Sequence, residues 1–176
     1  MIIRIASKKD SEDIQDIYLS AFTGNENEIV AGLAINLLSE ETNPPIISLL
    51  AEYDQQVVGH VSYSPVTADD NESWQAYILA PIAVKPEYQK RHIGSELINH
   101  GIKELTEKGV HTLLVYGDPK YYSRFGFDVD MAADYIAPYD LKHPHGWQAM
   151  TLNECSLAKA PVKISCVNAL RNSDIW

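Results

Sequence analysis

A chain of 176 residues, 45% hydrophobic and 22% charged, has the composition of one soluble globular domain with a real core. Its net charge of −10 argues against a nucleic-acid binder, and no apolar stretch approaches the roughly 18 residues of a membrane span. Cys155 and Cys166 fit neither a metal pattern nor a disulfide framework, so the expectation is a cytoplasmic protein with reduced thiols.

Residues 2–5 read as a first strand; a signal peptide would need a longer apolar core. Ser7 is placed to cap a helix over 10–22, where Ile14, Ile17, Tyr18 and Phe22 have helical spacing. A break at Gly24-Asn25 precedes a second helix over about 26–38, with Ile29, Val30, Leu33 and Leu37 on one stripe, ended by Asn43-Pro44-Pro45. Residues 46–52 and 56–64 read as a hairpin turning near Tyr53-Asp54-Gln55, and 69–73 as a polar loop.

Leu79-Ala80-Pro81-Ile82-Ala83-Val84 is an apolar run with a proline inside it. Pro81 has no N–H for a ladder, so this strand lies at an edge or its pairing is disturbed, which would leave backbone groups for a ligand. Lys85-Pro86 stops the strand. Gln89-Lys90-Arg91-His92-Ile93-Gly94-Ser95 then opens a helix carrying Leu97, Ile98, Ile102 and Leu105, which stops near Gly109. The first-turn N–H groups of a helix lack intrahelical acceptors and lie at its positive end, so this loop is either a phosphate cradle or a basic, solvated helix start. Lys85, Lys90 and Arg91 gather here on an acidic chain; they mark an anionic ligand or a chance cluster of surface bases.

His111 to Tyr116 reads as a strand parallel to the one before the helix, so that two parallel strands with disturbed pairing would form a V-shaped slot. Gly117-Asp118-Pro119 opens a short helix with Tyr121, Tyr122 and Phe125, and Gly126-Phe127 feeds another strand. Residues 162–167 read as an added strand. The apolar end, Ile175-Trp176, can pack on the domain or on a neighbour, which keeps a homodimer open.

Val84-Lys85-Pro86-Glu87-Tyr88 followed by Gln89-Lys90-Arg91-His92-Ile93-Gly94 resembles the pyrophosphate motif of the GNAT superfamily of acyl-CoA-dependent N-acyltransferases. That pattern is Gln/Arg-x-x-Gly-x-Gly/Ala, and His92 stands where glycine is usual. Gly117-Asp118-Pro119-Lys120-Tyr121-Tyr122-Ser123-Arg124-Phe125-Gly126-Phe127 is similar to the second hallmark, Tyr-x-x-x-Gly-Phe. It is more similar to one bacterial branch with Gly-Asp-Pro-x-Tyr-Tyr-x-Arg-Phe-Gly-Phe. Gly59-His60-Val61-x-x-Ser64-Pro65-Val66, the 79–84 run and Trp147-Gln148-Ala149-Met150-Thr151-Leu152 also look like that branch. The resemblance spans roughly residues 1–155. It implies an α/β (α+β) GNAT fold: a central mixed, mostly antiparallel sheet with a splayed parallel strand pair and helices on both faces. Residues 1–155 would be the acetyltransferase domain and 156–176 a C-terminal extension.

The resemblance further implies transfer of acetyl from acetyl-CoA to a primary amine of a small molecule, peptide or protein, by direct attack in a ternary complex and with no metal. Backbone groups of Ile82, Ala83 and Val84 would pair with the pantetheine arm, and Gln89, Lys90, Arg91, His92, Ile93, Gly94 and Ser95 would hold the pyrophosphate. His92 should avoid backbone conformations that only glycine tolerates. Tyr122 would either donate to the departing thiolate or only pack against the cofactor. Glu26, Glu28 and His60 are base candidates, Glu26 first among them, and a water chain is the other route. His143 and His145 receive no role. The alternative is a non-catalytic acyl-CoA-binding or sensing module on the same fold.

Overall fold

The computed structural model describes residues 1–157 and 159–176. Ala158, inside the expected 156–176 extension, lies outside the described residues. The fold is an open, mixed α/β sheet, mostly antiparallel, with two parallel pairings among the described residues. The chain divides into two compact units, one of Met1–Tyr63 with Ala80–Gly101 and one of Ser64–Leu79 with Ile102–Trp176.

In the first unit, β1 (Ile2–Ile5) pairs antiparallel with β2 (Ile47–Tyr53), and β2 with the start of β3 (Gln56–Ala68). Asp54 and Gln55 join β2 to β3 with φ of 49° and 63°, the two left-handed residues of a tight hairpin turn whose twist matches the strands. Two helices, α1 (Ser11–Ala21) and α2 (Glu26–Ser39), cover one face. Ile14, Ile17, Tyr18, Ala31 and Ala34 meet Leu50 of β2 and Ala83 of β4 (Ala76–Val84) there. Asp10 secures the entry to α1: its carboxylate accepts from the Ser7 N–H (2.7 Å) and hydroxyl (2.9 Å) and pairs with Arg4 (2.7 Å). On the other face, Gly59 of β3 makes room for α3 (Ile93–Glu107). A Cβ at Gly59 would come within 3.1 Å of Leu97 and 3.2 Å of Ile93. A glycine inside a strand thus admits a close helix.

In the second unit, Ala76–Leu79 of β4 runs parallel to β5 (Thr112–Tyr116), and the ladder ends at Leu79↔Val115, two residues before Pro81. On its other side β5 pairs antiparallel with β7 (Trp147–Thr151). The end of β3 pairs with β8 (Val162–Cys166), which also pairs with the two-residue β6 (Tyr135–Ile136). The short α4 (Pro119–Tyr122) follows β5. The strand expected after Phe127 does not form; a single bridge, Asp128↔Ala149, replaces it. The Asp128 carboxylate accepts from the Asp130 N–H (2.6 Å) and the Met131 N–H (3.3 Å), which turns the chain into a 3-10 turn over Met131–Asp134. The C-terminal Trp176 packs on its own chain, with ring centroids 6.0–6.3 Å from Trp147, Tyr139 and Tyr116 and its indole N–H on Leu170 O (3.0 Å).

Candidate active site

The loop between β4 and α3 is built by backbone and side-chain bonds of the first unit. Lys85 N–H donates to Val58 O (2.9 Å), and a 3-10 turn over Pro86–Tyr88 follows. The Gln89 amide reaches back to Val84 O (3.0 Å), so it braces the loop. Lys90 (φ 62°) and His92 (φ 63°) both adopt the left-handed conformation on either side of Arg91. The curl into α3 is kept without glycine: a φ of 63° lies in the left-handed region that histidine enters at modest cost and β-branched residues resist.

The first intrahelical bond of α3 is Glu96 N–H to His92 O (3.0 Å). The N–H groups of Ile93, Gly94 and Ser95 precede it and have no acceptor within the helix. Ile93 is buried against Gly59, so the first turn is anchored to the sheet while Gln89, Lys90, Arg91 and His92 are exposed.

The three expected bases are not equivalent. Lys85 pairs with Asp16 of α1 (2.7 Å) and is mostly covered. Arg91 lies over the rings of Tyr88 (5.2 Å) and Tyr53 (5.9 Å), cation–π contacts that tie the guanidinium to the end of β2 and to the 86–88 turn. Lys90 makes no ion pair among the described residues and is exposed. Of the strand positions, Ala83 is buried on the α1–α2 face, while Ile82 and Val84 are half-buried.

Glu26 and Glu28 are exposed in the first turn of α2, where the helix dipole favours acids. His60 is not available as a base. It is fully buried, with Nδ1 2.8 Å from the Tyr18 hydroxyl and Nε2 2.7 Å from Ser48 Oγ. Burial lowers its pKa to about 3, so the ring is a neutral core group that ties α1 to β2 and β3.

Tyr122 belongs to the second unit. Asp118 caps α4 by accepting from Lys120 N–H (3.0 Å), and Pro119 supplies a preset first residue. The Tyr122 ring lies against Gly117, edge-on to Tyr121 (5.0 Å) and Phe127 (5.8 Å). Burial, with the neighbouring Tyr121 adding to it, raises the phenol pKa, so Tyr122 stays protonated. Its hydroxyl makes no hydrogen bond among the described residues. Arg124 caps this cluster, stacked over Tyr121 (4.4 Å) with its Nε–H on Tyr121 O (3.0 Å). His143 and His145 are exposed, and His143 bonds through its backbone: its N–H donates to the Tyr116 hydroxyl (2.9 Å) and its carbonyl accepts from Gly146 N–H (2.8 Å).

Gln148 is the residue that sequence reading quoted without a role. It is fully buried, and its amide nitrogen bonds both Gly117 O and Gly146 O (3.2 Å each). The signal was a long polar side chain in the apolar run Trp147-Gln148-Ala149-Met150. No group of three or more His, Cys, Asp or Glu side chains that could hold a metal comes together among the described residues.

A sequence model of the acetyltransferase (GNAT) family matches residues 11–127. The chain is 40% identical over 144 residues to the uncharacterized N-acetyltransferase YjhQ of Escherichia coli (strain K12), covering 80% of this chain and 77% of that protein. In three dimensions it is similar to the GNAT family N-acetyltransferase YhbS from Escherichia coli in complex with CoA. The TM-score is 0.82 at 25% identity, covering 97% of this chain and 92% of that one. A GNAT family acetyltransferase from Brucella melitensis in complex with acetyl-CoA gives 0.69 at 28% identity, covering 96% of each chain.

Proposed function

This chain belongs to the acetyltransferase (GNAT) family and is an acyl-CoA-dependent N-acetyltransferase, and from that premise we propose how its residues divide the work. Residues 1–155 carry the reaction and 156–176 extend the domain. Backbone groups of Ile82, Ala83 and Val84 pair with the pantetheine arm of acetyl-CoA. Gln89, Lys90, Arg91, His92, Ile93, Gly94 and Ser95 hold the pyrophosphate, with the free N–H groups of the α3 start as donors and Lys90 as the uncommitted charge. The observation that carries this assignment is the pair of left-handed residues, Lys90 and His92, that curl an exposed loop onto those N–H groups.

The acceptor is a primary amine of a small molecule, peptide or protein. Its nitrogen attacks the thioester carbon directly, the C–S bond breaks, and the amide and CoA thiolate form. Glu26 receives the amine proton through water. Tyr122 donates a hydrogen bond to the departing sulfur; because burial raises its pKa, it stays the neutral donor and solvent supplies the proton. The free thiols of Cys155 and Cys166 support a reducing, cytoplasmic setting.

The test is calorimetric titration with acetyl-CoA and CoA, followed by an amine screen read as CoA thiol release. Binding, with release that Tyr122→Phe and Glu26→Gln both slow, is the expected result. Binding with no release for any amine would turn the reading toward a non-catalytic acyl-CoA-binding module, and unimpaired variants would remove both residues from the mechanism.

A further inference from the structure

We propose that Gln148 is a positioning residue for Tyr122, acting through the backbone of Gly117. The inference rests on the reading of Tyr122 given above and adds a residue that reading does not use.

Register on β7 places Gln148 opposite Val115, two residues before Gly117. The peptide groups around Gly117 are tied to the 146–148 segment: its N–H donates to Gly146 O (2.9 Å) and its carbonyl accepts from Gln148 Nε2 (3.2 Å). Nε2 also donates to Gly146 O (3.2 Å). The amide orientation is therefore fixed, because a flip would face Oε1 with two carbonyl oxygens. Fixing it leaves Gln148 Oε1 buried with no hydrogen-bond partner among the described residues. An orphaned buried acceptor is a cost that an apolar side chain of the same volume would avoid. A polar residue kept here at that cost serves placement of Gly117.

Gly117 in turn forms the surface against which the Tyr122 ring rests. A Cβ on Gly117 would overlap Tyr122 Cε2, so any shift of the Gly117 backbone shifts or frees the ring. Gln148 thus sets the height of the phenol from a position that itself touches no reacting atom.

The experiment combines 19F NMR of protein labelled with 3-fluorotyrosine, the Tyr122 resonance being assigned with Tyr122→Phe, with steady-state kinetics. Gln148→Met should move the Tyr122 resonance and lower kcat roughly ten-fold with little change in KM for acetyl-CoA. In a Tyr122→Phe background it should lower kcat no further. Gln148→Glu keeps the volume and guards against a misfolded Met variant; its activity should recover as pH falls, because the protonated acid regains a donor. An unmoved resonance, or losses that add to those of an impaired Tyr122→Phe, would overturn the positioning role alone. Full activity of Tyr122→Phe would overturn the leaving-group reading and this inference with it.

Discussion

The ring of Tyr63 fills the space in which residue 101 would carry a side chain. A Cβ built on Gly101 overlaps Cζ, the hydroxyl oxygen and Cε2 of Tyr63, and that hydroxyl donates to the carbonyls of Leu97 (3.1 Å) and Ile98 (3.4 Å). A fully buried tyrosine of β3 thus reaches the backbone of α3 only because Gly101 is bare. The contact helps seat the helix whose first turn closes the 89–95 loop.

Gly101→Ala should destabilise the protein by about 1–3 kcal/mol, since a rigid, buried ring has nowhere to move. Denaturant unfolding measures it. In a Tyr63→Leu background the same substitution should cost much less, and that coupling identifies the clash as the cause.

Acid stability should carry the signature of His60. Its pKa is about 3 when folded and near 6.5 when unfolded. Between those values the unfolded chain binds a proton that the folded chain refuses, so stability rises with pH across this window. The slope from this one group is at most about 1.4 kcal/mol per pH unit. Unfolding free energies from pH 7 down to pH 4 should fall in the wild type and fall less steeply in His60→Asn.

Asp10 acts in a lower window. Hydrogen bonds and charge from Arg4, with those from Ser7, hold its carboxyl well below the usual range. Its contribution is present above the ordinary carboxylate pKa near 4 and is lost as pH falls below that value. Asp10→Asn should lower stability at pH 7 by about 1–2 kcal/mol and flatten the decline at the acid end.

The left-handed backbone of His92 yields a paired test. His92→Gly should hold stability within about 1 kcal/mol, because relief of the left-handed cost offsets the added freedom of the unfolded chain. His92→Val should destabilise the loop by about 1–2 kcal/mol and weaken acetyl-CoA binding, since a β-branched residue resists positive φ. Thermal unfolding and calorimetric titration of the two variants separate these effects.

Lys90 and Arg91 should differ in salt response. Lys90→Ala should weaken acetyl-CoA binding by about 1–3 kcal/mol at low salt, with the difference shrinking as salt rises. Arg91 is already stacked on Tyr53 and Tyr88, so Arg91→Ala should also loosen the loop and lower affinity in a less salt-dependent way. Titrations at two ionic strengths decide it.

Much of this protein was legible locally. Helical spacing placed α1, α2 and α3, Asp54-Gln55 marked the hairpin turn, and the 79–95 and 117–127 segments carried the resemblance that the family match bears out. Such signals survive in sequence because periodicity, turn chemistry and motif spacing are set by neighbours a few residues apart. Tertiary structure decided what each polar side chain does. His60 became a neutral core residue because Tyr18 and Ser48 close on both of its nitrogens. Lys85 was claimed by Asp16, and Arg91 by two tyrosine rings. Gln148 gained a purpose because strand register brings it beside Gly117. A charge or an amide takes its role from its partner and its exposure, and both are fixed only when distant segments fold together.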